Sequence, residues 1–100
     1  MLRVVFAPQA HADLVRLEVF FWQAQDPLAP VLLDFLLDGL NVLTHQPGMG
    51  RPLAQGQREL IVSRGRGGYL ARYVHDWAYQ RVIVLRIRHQ FEAGYTETEI

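Results

Sequence analysis

Three strand-like runs in close succession constrain the fold more than any other feature of the sequence. β-Branched and aromatic residues dominate the runs at 58–63, 69–75 and 81–89. The segments between them, RGRGG and DWAYQ, are too short for a crossover helix and suit tight reversals. The second half of the chain therefore predicts an antiparallel sheet built from consecutive hairpins.

An amphipathic helix is predicted near the start of the chain, after a short strand at 2–6. From 8 to about 25, apolar residues recur three and four positions apart, and Val15, Val19 and Trp22 broaden the apolar stripe. We expect this broad stripe to be buried against the rest of the domain.

A second helix is predicted from the Asp-Pro pair at 26–27 to about Thr44, because proline is favoured at the first helical position. Asp34, Asp38 and Asn41 mark its exposed side. The leucines expected to face inward are Leu32, Leu33, Leu36, Leu37, Leu40 and Leu43. The segment 45–57 is predicted to be a loop, because five of its residues are proline or glycine.

The element order is thus β-α-α-β-β-β, an α+β two-layer sandwich with an N-terminal helical hairpin packed on a mainly antiparallel sheet. A chain of 100 residues has room for one domain. We place that domain at 1–91, followed by an acidic tail at 92–100 that we expect to be poorly ordered.

Composition removes several functional classes. There is no cysteine, which excludes disulfides and thiolate zinc sites, and the histidines lack metal-ligand spacing. We therefore expect no metal and no cofactor. The N-terminus does not resemble a signal peptide, and no apolar run of about 18 residues could span a bilayer. The expected protein is soluble, cytoplasmic and without a membrane partner.

Charge is strongly segregated although the formal net charge is zero. Residues 1–50 carry two arginines and five acids (2 − 5 = −3), residues 51–89 carry eight arginines and two acids (8 − 2 = +6), and the tail adds three glutamates. All ten basic residues are arginine, whose planar fork suits phosphate or carboxylate groups. Codon bias can explain the choice of arginine over lysine, but not its concentration in one segment.

Strict alternation along 81–89 predicts where these arginines point. The apolar set Ile83, Leu85 and Ile87 should pack on the helices, which leaves Arg86 and Arg88 on the open face of the sheet. His89 shares the parity of the apolar set, but it lies at the end of the strand, where its side chain can reach the surface. If Arg72 shares that face, an arginine platform results, with Arg58 as a further candidate from the neighbouring strand.

Three functions fit such a platform on residue chemistry alone. In a nuclease, His89 would be the base or acid, Arg86 or Arg88 would hold the phosphate, and Tyr95 would donate a proton or stack on a base. In a binding face, the arginines would clamp carboxylates of a partner. In a purely structural role, the arginines would be ordinary solvent-exposed residues on one face of the sheet. Trp77, at the tip of a hairpin, either folds back on the sheet or forms an exposed anchor, and RGRGG is read as a flexible turn.

The motifs of the second half resemble those of a known family. In chain order they are Gly50-Arg51-Pro52, Arg58-Glu59-Leu60, Tyr69 with Tyr73, and Leu85-Arg86 with His89. In this order and spacing, up to about Tyr95, the chain resembles the RelE/ParE superfamily of bacterial toxins. The resemblance implies the toxin of a type II toxin–antitoxin pair, silenced by a cognate antitoxin that folds over it.

The superfamily divides by target, and the resemblance leans to one branch. RelE-like members cut mRNA on the ribosome using clustered Lys and Arg with a terminal His or Tyr, whereas ParE-like members inhibit DNA gyrase. This chain has no lysine, and Leu70 stands where many relatives carry arginine. A ParE-like toxin is therefore expected, with Arg58, Arg72, Arg86, Arg88, Trp77 and Tyr95 contacting target or partner.

Two alternatives stay open at this point. A RelE-like, ribosome-dependent endoribonuclease would use His89 and Arg86 as catalytic residues, so whether the protein is an enzyme depends on the branch. An inactive family member could persist as a binding module. The assembly is expected to be either a homodimer or a toxin–antitoxin hetero-oligomer.

Overall fold

A computed structural model describes residues 1–64 and 67–90, apart from the side chain of Arg64. The helices are α1 (Pro8–Gln23) and α2 (Leu32–Leu40), and the strands are β1 (Arg3–Phe6), β2 (Arg51–Pro52), β3 (Gln57–Arg64), β4 (Gly67–Asp76) and β5 (Arg81–His89). The five strands form one sheet in the order β1-β5-β4-β3-β2. β1 pairs in parallel with β5, and the other neighbours are antiparallel. The predicted α+β architecture is confirmed.

The helical segment differs from the prediction in where regular helix begins and ends. α1 begins at Pro8, as expected, and the chain leaves it through Gln25, whose φ of 55° lies in the left-handed region. The predicted second helix is a nine-residue α2 flanked by 3₁₀ turns at Ala29–Val31 and Asn41–Thr44. Pro30, in the first of these 3₁₀ turns, lacks an N–H and cannot donate the hydrogen bond that a residue in a helix interior makes.

The core lies between the two helices and one face of the sheet. Its largest fully buried side chains are Tyr73, Leu32, Leu36, Leu40, Leu43, Ile87, Val82 and Val84. The predicted inward set was wrong in part, because Leu33 and Leu37 of α2 are exposed. The three residues expected to broaden the buried stripe of α1, namely Val15, Val19 and Trp22, are exposed as well. The hairpin thus keeps an apolar outer surface.

The predicted orientation of β5 was wrong for the first half of the strand, whereas Ile87 is buried in the core as predicted. Val82 and Val84 belong to the core, while Ile83 and Leu85 are only half-buried. Opposite β4, Tyr73 pairs with Val84 but Arg72 pairs with Arg86, so β5 carries one extra residue there. A β-bulge of this kind resets the alternation of side chains. The core side of β5 therefore passes from Val84 to Ile87.

A two-residue strand, β2, lies inside the segment predicted to be a loop and pairs with the start of β3. Pro52 is compatible with this edge position, because a proline cannot donate a hydrogen bond to a neighbouring strand and is tolerated at the edge of a sheet. Compatibility of this kind is too weak to predict a strand from the sequence. Within the described parts of the chain, no helix combines the length and the apolar character needed to cross a membrane.

Candidate functional site

Arg86 is held inside the protein by Asp13, and this is the main difference from the predicted arginine platform. The Asp13 and Arg86 side chains are 4% and 7% exposed. Arg86 Nε donates to Asp13 Oδ2 at 2.9 Å, and Arg86 Nη2 donates to Asp13 Oδ1 at 3.0 Å. This two-point geometry is the strong form of an arginine–carboxylate pair. Arg86 therefore reaches α1 rather than solvent on the open face.

The same carboxylate also fixes the backbone of β5 at the bulge. The Ile87 N–H donates to Asp13 Oδ2 at 2.8 Å. Arg16, one turn along α1, donates from Nη2 to Asp13 Oδ1 at 3.3 Å and to the Ile87 carbonyl at 3.1 Å. The ion pair consequently joins α1 to the irregular point of β5, and we call Asp13, Arg16 and Arg86 the buried charge cluster.

Sequence reasoning missed Asp13, although a signal for it exists. Asp13 lies on the buried stripe of α1, between Ala10 and Leu17 and in line with Phe21. A carboxylate on an apolar helix face is costly to bury without a cation. Such a position predicts a basic partner in the core, and the second half of the chain is rich in arginine.

Arg72 and Arg88 do occupy neighbouring positions on the sheet face away from the helices. Their neighbours Ala71 and Ile87 pair with each other and are buried in the core, so the alternating residues Arg72 and Arg88 belong to the opposite face. Both arginines are half-buried. We call these two residues the arginine face. It is smaller than predicted, because it lacks Arg86 and Arg58.

His89 belongs to the other side of the sheet. It pairs in register with Tyr69, and the two rings meet edge to face with centroids 5.2 Å apart. Tyr69 is itself buried against Phe21 and Phe35 of the helices. The half-buried His89 therefore borders the helical layer, whereas Arg88 next to it faces away from that layer.

Arg58 belongs to the opposite face of the sheet from the arginine face. It pairs with Tyr73 on the core side of β3, where the following inward residue, Leu60, is already buried. Its Nη1 donates to the carbonyls of Gly48 and Gly50, at 3.3 and 2.8 Å. Arg58 thus fastens the 45–57 segment to the sheet, and its assignment to the open face was wrong.

Trp77 combines the two alternatives that the sequence left open. Its ring stacks on His75, with centroids 3.8 Å apart and planes 26° from parallel. It nevertheless remains 77% exposed at the β4–β5 turn. The remaining predicted contact, Tyr95, and the centre of the RGRGG turn lie outside the described residues.

The arrangement brings together only part of a phosphate-cleaving site. Such chemistry needs a cation on the phosphate and an acid or base within hydrogen-bonding reach of the reacting oxygens. Of the two predicted catalytic residues, Arg86 is engaged by Asp13 and His89 borders the helical layer. Among residues 1–64 and 67–90, no group of three acidic or histidine side chains is placed to hold a metal ion.

Comparison with known proteins gives a consistent family. The model of the ParE toxin of the type II toxin–antitoxin system parDE matches residues 4–94. Toxin RelE3 of Caulobacter vibrioides is 33% identical over 93 residues, which cover 92% of this chain and 98% of that protein.

A solved structure agrees at the level of fold. The crystal structure of a metal-bound toxin from Helicobacter pylori superposes with a TM-score of 0.52 and 16% identity, covering 94% of this chain and 100% of that one. At this identity the likeness concerns the fold alone. The family match and the RelE3 likeness both extend over nearly the whole chain, and we conclude that it belongs to the RelE/ParE superfamily as the toxin of a type II toxin–antitoxin system.

Proposed function

We propose that this toxin acts in the ParE manner, by inhibiting DNA gyrase in the cytoplasm, and that it is not a ribonuclease. The observation that carries the proposal is the burial of Arg86, which is 6% exposed and bound at two points by Asp13. A phosphate could reach this guanidinium only after the ion pair had broken. Asp13 would then be left as an uncompensated buried charge, and removing one partner of a buried pair costs about 3–5 kcal/mol.

The position of His89 supports the same proposal. His89 packs against Tyr69 beside the helical layer, while Arg72 and Arg88 belong to the opposite face. A scissile phosphate bound on the arginine face would therefore have the sheet between it and the imidazole. Within residues 1–64 and 67–90 the predicted acid or base, His89, thus lies across the sheet from these half-buried arginines, and such a surface suits protein docking better than cleavage.

The experiment is a gyrase supercoiling assay on plasmid DNA with ATP. Purified toxin should abolish supercoiling and accumulate linear DNA as its concentration rises. The double variant Arg72→Ala/Arg88→Ala should lose about tenfold or more in potency, since arginine is enriched among the few hot-spot residues whose truncation costs about 2 kcal/mol or more. Arg51→Ala is the matched control, because Arg51 is exposed at the far edge of the sheet and pairs with Glu59 at 2.9 Å. Circular dichroism checks that each variant is folded.

The alternative outcomes are equally informative. Toxin that arrests growth but leaves gyrase unaffected, and that cuts mRNA on ribosomes, would refute the proposal in favour of a RelE-like nuclease. The name of the RelE3 relative makes this the second candidate. Induction without any growth arrest would indicate an inactive binding module.

Membership of a type II system implies a cognate antitoxin, and we propose that it docks on the helical hairpin. An apolar groove of about 300 Å³ lies between α1 and α2. The apolar residues that line it are Phe6, Leu14, Val15, Leu32, Leu33, Leu36 and Leu37. Val15 and Leu33 are 50% and 45% exposed, which is unusual for neighbouring apolar side chains on a surface without a partner. An amphipathic antitoxin helix would fill such a groove with its apolar face.

Leu33→Asp tests this docking site. Burying a leucine contributes about 1.5–3 kcal/mol, so antitoxin affinity should fall about tenfold or more, with basal toxicity retained. Val31→Asp is the control, since Val31 is equally exposed but does not line the groove. Calorimetric titration of toxin with antitoxin measures both variants. Equal affinities for the two would move the docking site elsewhere, for example to the arginine face.

A further inference from the structure

A second cavity lies at the end of the sheet where β4 turns into β5. Its volume is about 390 Å³, and it is lined by Pro47, Gly48, Gly56, Arg58, His75 and Trp77. In the β4–β5 ladder, Asp76 pairs with Arg81 at this end and Tyr69 pairs with His89 at the other. The cavity is therefore separated from His89 by roughly the length of a strand, about 25 Å at 3.3 Å per residue. Neither gyrase inhibition nor antitoxin docking, as proposed above, makes use of it.

The cavity has a cation whose charge is not neutralised by a neighbouring acid. Within residues 1–64 and 67–90, the two acids of this region are engaged by other arginines. Glu59 accepts from Arg51 at 2.9 Å, and Asp76 accepts from Arg81 at 2.8 Å. The half-buried Arg58 instead donates to two backbone carbonyls, both through Nη1. These contacts fix its orientation and leave Nε and Nη2 for a ligand, so the guanidinium is pre-organised for an anion.

The cavity also has an aromatic wall. Trp77 and His75 stack with their ring centroids 3.8 Å apart, and Trp77 remains 77% exposed. The stacking holds the indole in place, so an incoming planar ring would meet a fixed surface with little loss of side-chain freedom. Base–aromatic stacking is strong and tolerates any base, since each base offers a π-face.

We propose that this cavity binds a nucleotide unit, with the base stacked on Trp77 and the phosphate on Arg58. A rigid aromatic surface next to an uncompensated guanidinium matches the two halves of that ligand. The unit belongs either to a free nucleotide or to a single strand of nucleic acid, which present the same chemistry to the cavity.

Titration of the ¹⁵N-labelled full-length protein with 5′-AMP, adenosine and inorganic phosphate tests the proposal, with the Trp77 indole N–H as the reporter. Trp77→Ala should weaken binding of 5′-AMP and of adenosine alike, by about tenfold or more. Arg58→Gln keeps a donor for the loop carbonyls and should weaken 5′-AMP several-fold while leaving adenosine unchanged. Tyr79→Ala is the control, because Tyr79 is 68% exposed in the same turn and does not line the cavity.

The outcomes separate the two sources of the ligand. A single-stranded RNA hexamer that binds more tightly than 5′-AMP, with the same dependence on Trp77, identifies a nucleic-acid strand, and weaker binding of the hexamer identifies a free nucleotide. Absence of saturable binding at millimolar 5′-AMP overturns the proposal. So does binding that both Trp77→Ala and Arg58→Gln leave intact. Gyrase inhibition is measured independently, so failure of one proposal does not affect the other.

Discussion

Replacing Asp13 with alanine should destabilise the protein more than any surface substitution, and the structure supplies the reason. The carboxylate accepts hydrogen bonds from Arg86 at 2.9 and 3.0 Å, from Arg16 at 3.3 Å and from the Ile87 N–H at 2.8 Å. Alanine would leave a buried guanidinium without its counter-charge and a buried N–H without its acceptor. Breaking a buried pair in this way costs about 3–5 kcal/mol.

Urea unfolding followed by circular dichroism measures the effect. With an m-value of about 1.5 kcal/mol/M, the midpoint should fall by about 2–3 M. Because small domains are stable by only about 5–15 kcal/mol, the variant would be close to its limit of folding. Asp38→Ala, on the exposed side of α2, is the matched control and should change the free energy of unfolding by less than about 0.5 kcal/mol.

A double variant separates the two contributions to the loss. Asp13→Leu/Arg86→Met removes both charges, so it should be less destabilised than Asp13→Ala even though more is changed. If Asp13→Ala shifts the midpoint no more than Asp38→Ala does, the buried pair is not a stabilising feature. Asp13 would then not hold Arg86 away from phosphate, and gyrase inhibition would lose its main structural support.

Two further predictions concern the anchoring of the 45–57 segment. The Tyr73 hydroxyl donates to the Pro47 carbonyl at 2.6 Å and accepts from the Gly50 N–H at 2.9 Å. Tyr73→Phe should therefore lower the free energy of unfolding, measured by urea titration, by about 1–3 kcal/mol. The control Tyr79→Phe should leave it unchanged. Gly50→Ala would place a Cβ 2.8 Å from a β3 carbonyl and from the Tyr73 ring, and should lower the thermal midpoint by several degrees. Gly48→Ala meets nothing within 4 Å and should not lower it.

The buried charge cluster has a consequence for how this toxin is compared with its relatives. Arg86 lies in a motif that, by resemblance, reads as part of a catalytic or target-binding set, but here the residue joins α1 to the bulge of β5. A motif match therefore transfers a fold position more safely than a chemical role. The nearby face that remains for contact is formed by Arg72 and Arg88.

Local pattern was sufficient for the elements and the class of fold. Apolar spacing of three and four residues predicted both helices, and short links between β-branched runs predicted the antiparallel order of β3, β4 and β5. These signals act within a few residues of each other, so they can be read without knowing the tertiary structure. The family that the motifs resemble was confirmed by the comparisons.

The side-chain environments were decided by tertiary structure alone. One extra residue in β5, at Leu85, placed Val82 and Val84 in the core instead of Ile83 and Leu85, because a bulge shifts the alternation of side chains by one residue. Asp13 and Arg86 stand 73 positions apart, and no local pattern relates them. The sequence by itself determined both helices, the first strand and the consecutive antiparallel pairing of β3, β4 and β5, whereas the β2 strand and the parallel pairing of β1 with β5 came from the tertiary structure. Packing of α1 against the bulge determined which arginine is buried and which two remain on the open face.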